Sequence, residues 1–125
     1  MKHDNLENRL VEFSADIVKL TTTFDKSIHS KIITDQILRS GISVALNYGE
    51  ARSAESRKDF IHKMRISLKE LRETNISLRI INETVGNANS DQVNKILKET
   101  NELISIFVVS INTASKNLQD LKSKN

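Results

Sequence analysis

The sequence predicts an all-α fold: an up-and-down antiparallel four-helix bundle, built as a single domain over residues 1–125. Three observations carry this expectation. Proline is absent and glycine occurs three times, so little in the chain interrupts a helix. Apolar residues recur at alternating spacings of three and four along most of its length, the period of one helix face. The stretches between those periodic runs are short, which favours antiparallel neighbours. A chain of 125 residues is also long enough to bury a core.

The first helix is expected over about 5–23, opened by a capping-box-like pair, Asp4 and Glu7. Its seam is Leu6, Leu10, Phe13, Ile17, Leu20 and Phe24, with polar residues elsewhere, so a single stripe wants burial. A connection is expected around Asp25–Ser30.

The second helix, about 31–52, reads differently. Gln36, Ser40, Ser43, Asn47 and Glu50 share one face, with Arg39 beside it and Gly41, Ala45 and Gly49 forming a stripe of small residues. Ile33, Ile37, Ile42, Val44, Leu46 and Tyr48 are spread around the circumference, which predicts that this helix is largely enclosed. Buried polar groups need hydrogen-bond partners, so the helix specifies a partner surface, in its own chain or in another subunit. Gly41 and Gly49 each cost about 1 kcal/mol relative to Ala in a helix interior, a cost best explained by close approach of a neighbouring helix.

Ser53 and Ser56 are both plausible caps for the third helix, expected over about 54–85. Its seam is Ile61, Met64, Leu68, Leu71, Asn75, Leu78, Asn82 and Val85. The two asparagines either fix register from within the core or lie at its rim. Gly86 and the segment Asn87–Ser90 form a turn, and the fourth helix follows over about 90–121, capped by Asn89 or Ser90. Its seam is Val93, Leu97, Thr100, Ile104, Phe107, Ile111, Ala114, Leu118 and Leu121.

Little in the chain points to catalysis. The absence of cysteine excludes disulfides and thiolate metal sites. His3, His29 and His62 are the only histidines, and none stands in the Glu-x-x-His pattern of di-iron bundles. Glu50, Glu70 and Glu73 without histidine make a weak metal signal. Phosphate-binding glycine loops and nucleophile elbows are missing too, so the expectation is a non-enzyme with no cofactor. The carboxylates suit a structural polar network in which Arg39, Ser43, Asn47 and Glu50 meet Lys69, Glu70, Glu73 and Thr74. In that network Glu73→Ala would leave a buried cation unpaired. With no signal-peptide pattern at Met1–Asn5 and no run long enough to span a membrane, a soluble cytoplasmic protein is expected.

Charge is unevenly placed. The chain is +3 overall, but residues 51–80 alone hold eight basic and four acidic side chains. Arg52, Arg57, Lys58, Lys63, Arg65, Arg72 and Arg79 are the candidates for binding RNA or DNA, several of them at helical spacing. A solvated helix face is the plainer alternative. Aromatic residues are 4% of the chain, so base stacking should not dominate. The other functional class is a protein-interaction adaptor that docks a partner enzyme without touching nucleic acid.

The run Gln36-Ile37-Leu38-Arg39-Ser40-Gly41-Ile42-Ser43-Val44-Ala45-Leu46-Asn47-Tyr48-Gly49-Glu50-Ala51 resembles the bacterial four-helix-bundle proteins encoded within 23S rRNA intervening sequences. Ser56-Arg57-Lys58-Asp59-Phe60-Ile61-His62-Lys63 and Leu68-Lys69-Glu70-Leu71-Arg72-Glu73-Thr74 are similar to further segments of that family. So are Ile17-Val18-Lys19-Leu20, Phe24-Asp25-Lys26, Ile106-Phe107 and Ser110-Ile111-Asn112-Thr113-Ala114. The resemblance implies a bundle that assembles as a ring, usually a homopentamer. It also implies a relation to the accessory proteins of diversity-generating retroelements, basic pentamers that bind nucleic acid and a reverse transcriptase. Leu46 and Gly49 depart from the usual Ala and a larger residue, which bears on subunit packing.

Overall fold

The computed structural model describes residues 5–84 and 90–123. They form four helices, α1 (Asn5–Thr21), α2 (Ile28–Arg52), α3 (Arg57–Thr84) and α4 (Ser90–Ser123), with no strand among the described residues. The predicted Asp4 cap, Val85 at the end of the α3 seam and the turn from Gly86 to Asn89 lie outside the described residues.

Hydroxyl groups set three of the boundaries, and each differs from the sequence expectation by two or three residues. Thr21, Thr22 and Thr23 donate their hydroxyls to the carbonyls of Val18, Lys19 and Leu20 at 2.7, 2.6 and 2.6 Å. Together with backbone bonds from Thr23 N–H to Leu20 O and Phe24 N–H to Thr21 O, they tighten the last turn and end α1 at Thr21. Phe24 still reaches back into the core. α2 starts at Ile28, not Lys31, because Ser27 caps it: Ser30 N–H donates to Ser27 Oγ at 3.2 Å. The Asp25 carboxylate accepts the Ser27 N–H at 2.8 Å. Hydrogen bonds from Ser27, then Ser30, pull the Asp25 carboxyl down from 3.8 to about 2. Of the two candidate serines, Ser56 caps α3, accepting the Asp59 N–H at 3.0 Å, whereas Ser53 terminates α2. α3 therefore starts at Arg57.

Antiparallel pairing is visible in the polar contacts. Ser40 meets Thr74, Val44 O accepts from Ser67, and Glu50 meets Lys63, so numbers rise along α2 as they fall along α3. Asn75 and Asn82 pair with Asn101 and Asn94 between α3 and α4. Arg9 reaches from α1 to α4, where its Nε and Nη2 grip Glu99 at 2.6 and 2.7 Å and Nη2 also reaches Glu102 at 3.0 Å. These two carboxylates, Glu99 foremost, raise the guanidinium pKa. Each helix thus packs on its two neighbours in an up-and-down bundle.

The core is one continuous cluster. α1 supplies Leu10, Phe13, Ile17 and Leu20, as its seam predicts, while Leu6 is half-buried. In α3 the buried residues are Ile61, Met64, Ser67, Leu71, Thr74, Leu78 and Ile81. Asn75 is half-buried and Asn82 exposed, so the asparagines belong to the rim, each joined to another asparagine. Tyr48 stands edge-on to Phe107, ring centres 6.0 Å apart, tying α2 to α4 across the core. Gly41 admits a close approach of α1: a Cβ there would come 2.6 Å from Ile17 Cδ1, and Ser14 Oγ donates to Gly41 O at 3.1 Å. The same expectation fails at Gly49, where nothing lies within 4 Å of a built Cβ.

α2 is less enclosed than its composition predicts. Ile37, Val44 and Tyr48 are buried, but Ile28, Ile32, Ile42 and Leu46 are exposed, Leu46 by 63%. One chain covers only the side of α2 that meets α1 and α3. Among the described residues no helix is long and apolar enough to cross a membrane.

Candidate nucleic-acid interface

α3 is wedged between α2 and α4, and this sets which of its side chains reach the outside. Met64, Leu71 and Leu78 recur every seven residues on the core side, as do Ser67, Thr74 and Ile81 one turn away. The residue following each member of the first row therefore points outward. Those positions are Arg65, Arg72 and Arg79, and the same row extends back to Lys58. All four are exposed.

Lys58, Arg65, Arg72 and Arg79 form a straight basic ladder with one rung every two helical turns. At 1.5 Å per residue the rungs are about 10 Å apart and the ladder is about 32 Å long. Lys69, also exposed, stands between Arg65 and Arg72 on the adjoining outward row, with His62 one heptad before it. Within the described residues no carboxylate lies in salt-bridge range of any ladder residue; Arg65 Nη2 reaches Ser115 Oγ at 3.5 Å.

The remaining three candidates are placed elsewhere. Lys63 Nζ donates to Glu50 at 2.7 Å, and that carboxylate raises the ammonium pKa. Arg52 stands at the end of α2 with Nη1 3.9 Å from Glu7. Arg57, the first residue of α3, lines a cleft at the end of the bundle with Tyr48, Phe60 and Asn117. The sequence candidates thus divide into four aligned cations and three that are not in line. Lys69 was missed as a binding candidate because it was read as part of the contact with α2.

The polar network is present in altered form. Arg39 Nη2 donates to Glu73 at 2.6 Å and Nη1 to Glu70 at 3.2 Å, and these carboxylates raise its pKa, Glu73 first. The setting corrects the expectation of a buried cation, since the Arg39 side chain is 51% exposed. Asn47 bonds within its own helix, to Ser43 O at 2.9 Å, and the exposed Glu50 takes Lys63. The shielded polar contact between α2 and α3 lies deeper, at Ser40, Ser67 and Thr74. Among the described residues every buried side-chain polar atom has a partner, and no group of three or more metal-ligating side chains gathers.

Residues 5–108 match the family model of the 23S rRNA-intervening sequence protein. The chain belongs to this family. A solved relative supports the assignment: a protein of unknown function from the S23 ribosomal protein family of Bacteroides thetaiotaomicron VPI-5482. It is 31% identical, superposes with a TM-score of 0.76, and the match covers 84% of this chain and 96% of that one. No curated protein matches the chain. The basic ladder and the Arg39 contacts both fall inside the part that matches the 23S rRNA-intervening sequence family, whereas α4 continues fifteen residues past it, over 109–123.

Proposed function

We propose that this member of the 23S rRNA-intervening sequence family is a non-enzymatic, homo-oligomeric bundle that binds RNA or DNA through the outer face of α3. The observation that supports it is the ladder of Lys58, Arg65, Arg72 and Arg79, four exposed cations in register, none of them in an ion pair among the described residues. Surface cations are ordinarily interspersed with anions; a row left unneutralised attracts polyanions and releases their counterions on binding. Retention of labelled RNA or DNA on filters at 50 mM and 200 mM salt tests this. Strong retention at the lower salt that fades at the higher is expected, and none at either overturns it.

The homo-oligomeric part rests on a different face. Ile32, Arg39 and Leu46 lie seven apart on α2, and Ile66, Glu73 and Ile80 lie seven apart on α3. Since Arg39 pairs with Glu73, the antiparallel register sets Ile32 level with Ile80 and Leu46 level with Ile66. With Ile28 and Ile42, and with Ile66 half-buried, this makes a largely exposed apolar seam in which Arg39 and Glu73 neutralise each other. A second copy covering that seam, within the pentamer the resemblance implies, is the reading we favour, in a cytoplasmic protein. Light scattering should report an oligomer that Ile32→Glu with Leu46→Glu reduces to monomer; a monomeric wild type overturns it. The seam also favours the second reading, an adaptor that docks a partner enzyme there without binding nucleic acid; protein that never retains RNA or DNA but binds a partner would establish it.

A further inference from the structure

We infer that the ligand of the α3 face is a double helix, of RNA or DNA, held through its phosphates over about one turn. The inference rests on the nucleic-acid reading above and narrows it.

Length is the first argument. Lys58 to Arg79 spans about 32 Å of helix, close to the roughly 34 Å of one duplex turn. A rigid row of cations laid along a duplex axis meets phosphates from both strands at recurring intervals. α3 cannot bend to follow a flexible strand, because it is 28 residues long and packed along its length on α2 and α4.

Aromatic placement is the second. Phe13, Phe24, Tyr48 and Phe107 are buried in the core, and Phe60 is half-buried in the end cleft. These are all the aromatic residues of the chain. None stands on the ladder face, where the exposed His62 imidazole is a poor substitute for a stacking platform, and stacking on successive aromatic rings is the main grip of single-strand binders.

Shape is the third. An α-helix reads base edges by entering the major groove, about 12 Å wide. α3 is flanked by α2 and α4 at ordinary interaxial distances of about 8–10 Å, so the face presented is wider than that groove. The guanidiniums therefore stay at the level of the phosphates, and binding is independent of base sequence.

The test is fluorescence anisotropy with the full chain, using a 20-base-pair duplex of mixed sequence, made as RNA and as DNA, and each separated strand. At least one duplex should bind ten-fold or more tightly than its strands. With about four phosphates neutralised per subunit, affinity should fall about a hundredfold between 50 and 200 mM salt. Arg65→Gln with Arg72→Gln should weaken duplex binding ten-fold or more and flatten the salt slope by about 2. Lys95→Gln with Lys98→Gln, an equal charge loss on α4, should change little. Strands binding as tightly as the duplex, or a ladder variant no weaker than the α4 variant, overturns the duplex assignment. Binding by neither form at low salt overturns the nucleic-acid reading itself. A preference between the two duplexes identifies the source and leaves the inference standing.

Discussion

Thr74 Oγ1 lies 2.9 Å from Ser40 Oγ and 2.9 Å from the carbonyl oxygen of Glu70, with both side chains fully shielded from solvent. One hydroxyl proton serves the carbonyl and the other joins the two hydroxyls, so α2 and α3 share a satisfied polar contact inside an otherwise apolar interface. Ser67 repeats the device one heptad away, donating to Val44 O at 3.0 Å.

Removing half of this contact should cost more than removing both halves. Thr74→Val leaves the Ser40 hydroxyl with only its long bond to Ile37 O at 3.4 Å, and should destabilise the fold by about 1–2 kcal/mol. Ser40→Ala combined with Thr74→Val should cost less than the sum of the two single changes. Urea unfolding of the three variants checks the sign of the coupling.

The two interior glycines of α2 should respond oppositely to enlargement. Gly49→Ala meets open space and should stabilise by about 0.5–1 kcal/mol through helix propensity. Gly41→Val thrusts its side chain into Ile17, which is fully buried in a packed core, and should destabilise by about 1–3 kcal/mol. Thermal unfolding midpoints moving in opposite directions would establish the difference.

In the monomeric Ile32→Glu, Leu46→Glu background, Glu73→Ala should have only a small effect on stability, below about 1 kcal/mol, because in a single subunit Arg39 is half exposed and keeps Glu70. The effect should shrink further in 1 M salt. A denaturation midpoint indistinguishable from that background at high salt is the expected result.

Acid sensitivity should trace in part to Asp25. Its carboxyl is held at about 2, below the ordinary 3.8, so the folded state binds that proton less readily than the unfolded chain. The stability this contributes is complete above about pH 4 and lost as pH falls toward 2. Asp25→Asn should flatten the stability profile across that window and leave its slope near neutrality unchanged, as circular dichroism melts at stepped pH would show.

The four-helix plan was legible because the α1 seam, Leu6 to Phe24, alternates three and four without interruption and has a reverse side that is polar but for Val11 and Val18. Boundaries were less so: Thr21–Thr23 and Ser27 compete for backbone groups through hydroxyls, and several neighbouring residues offer the same chemistry. The α3 core was read one row off, through Leu68, Asn75 and Asn82, since Ser67 and Thr74 occupy the true facing row and conceal it with hydroxyls. In the candidate interface, Lys58, Arg65, Arg72 and Arg79 were chosen with Lys63, which shares their helix and charge. Lys63 lies off their seven-residue row, and its neutralisation by Glu50 depends on how α2 and α3 pair. The exposure of Arg39 was hidden for a similar reason: a charge pattern names its partners without giving its depth.

Short links between sequence-adjacent helices carry a kinetic consequence. Only six residues separate α1 from α2 and four separate α2 from α3, so most native pairings form between segments made one after the other. Low contact order of this kind goes with folding in microseconds to milliseconds, and a chain without proline has no slow peptide-bond isomerisation to wait for. Each hairpin can close while the ribosome is still extending the next one.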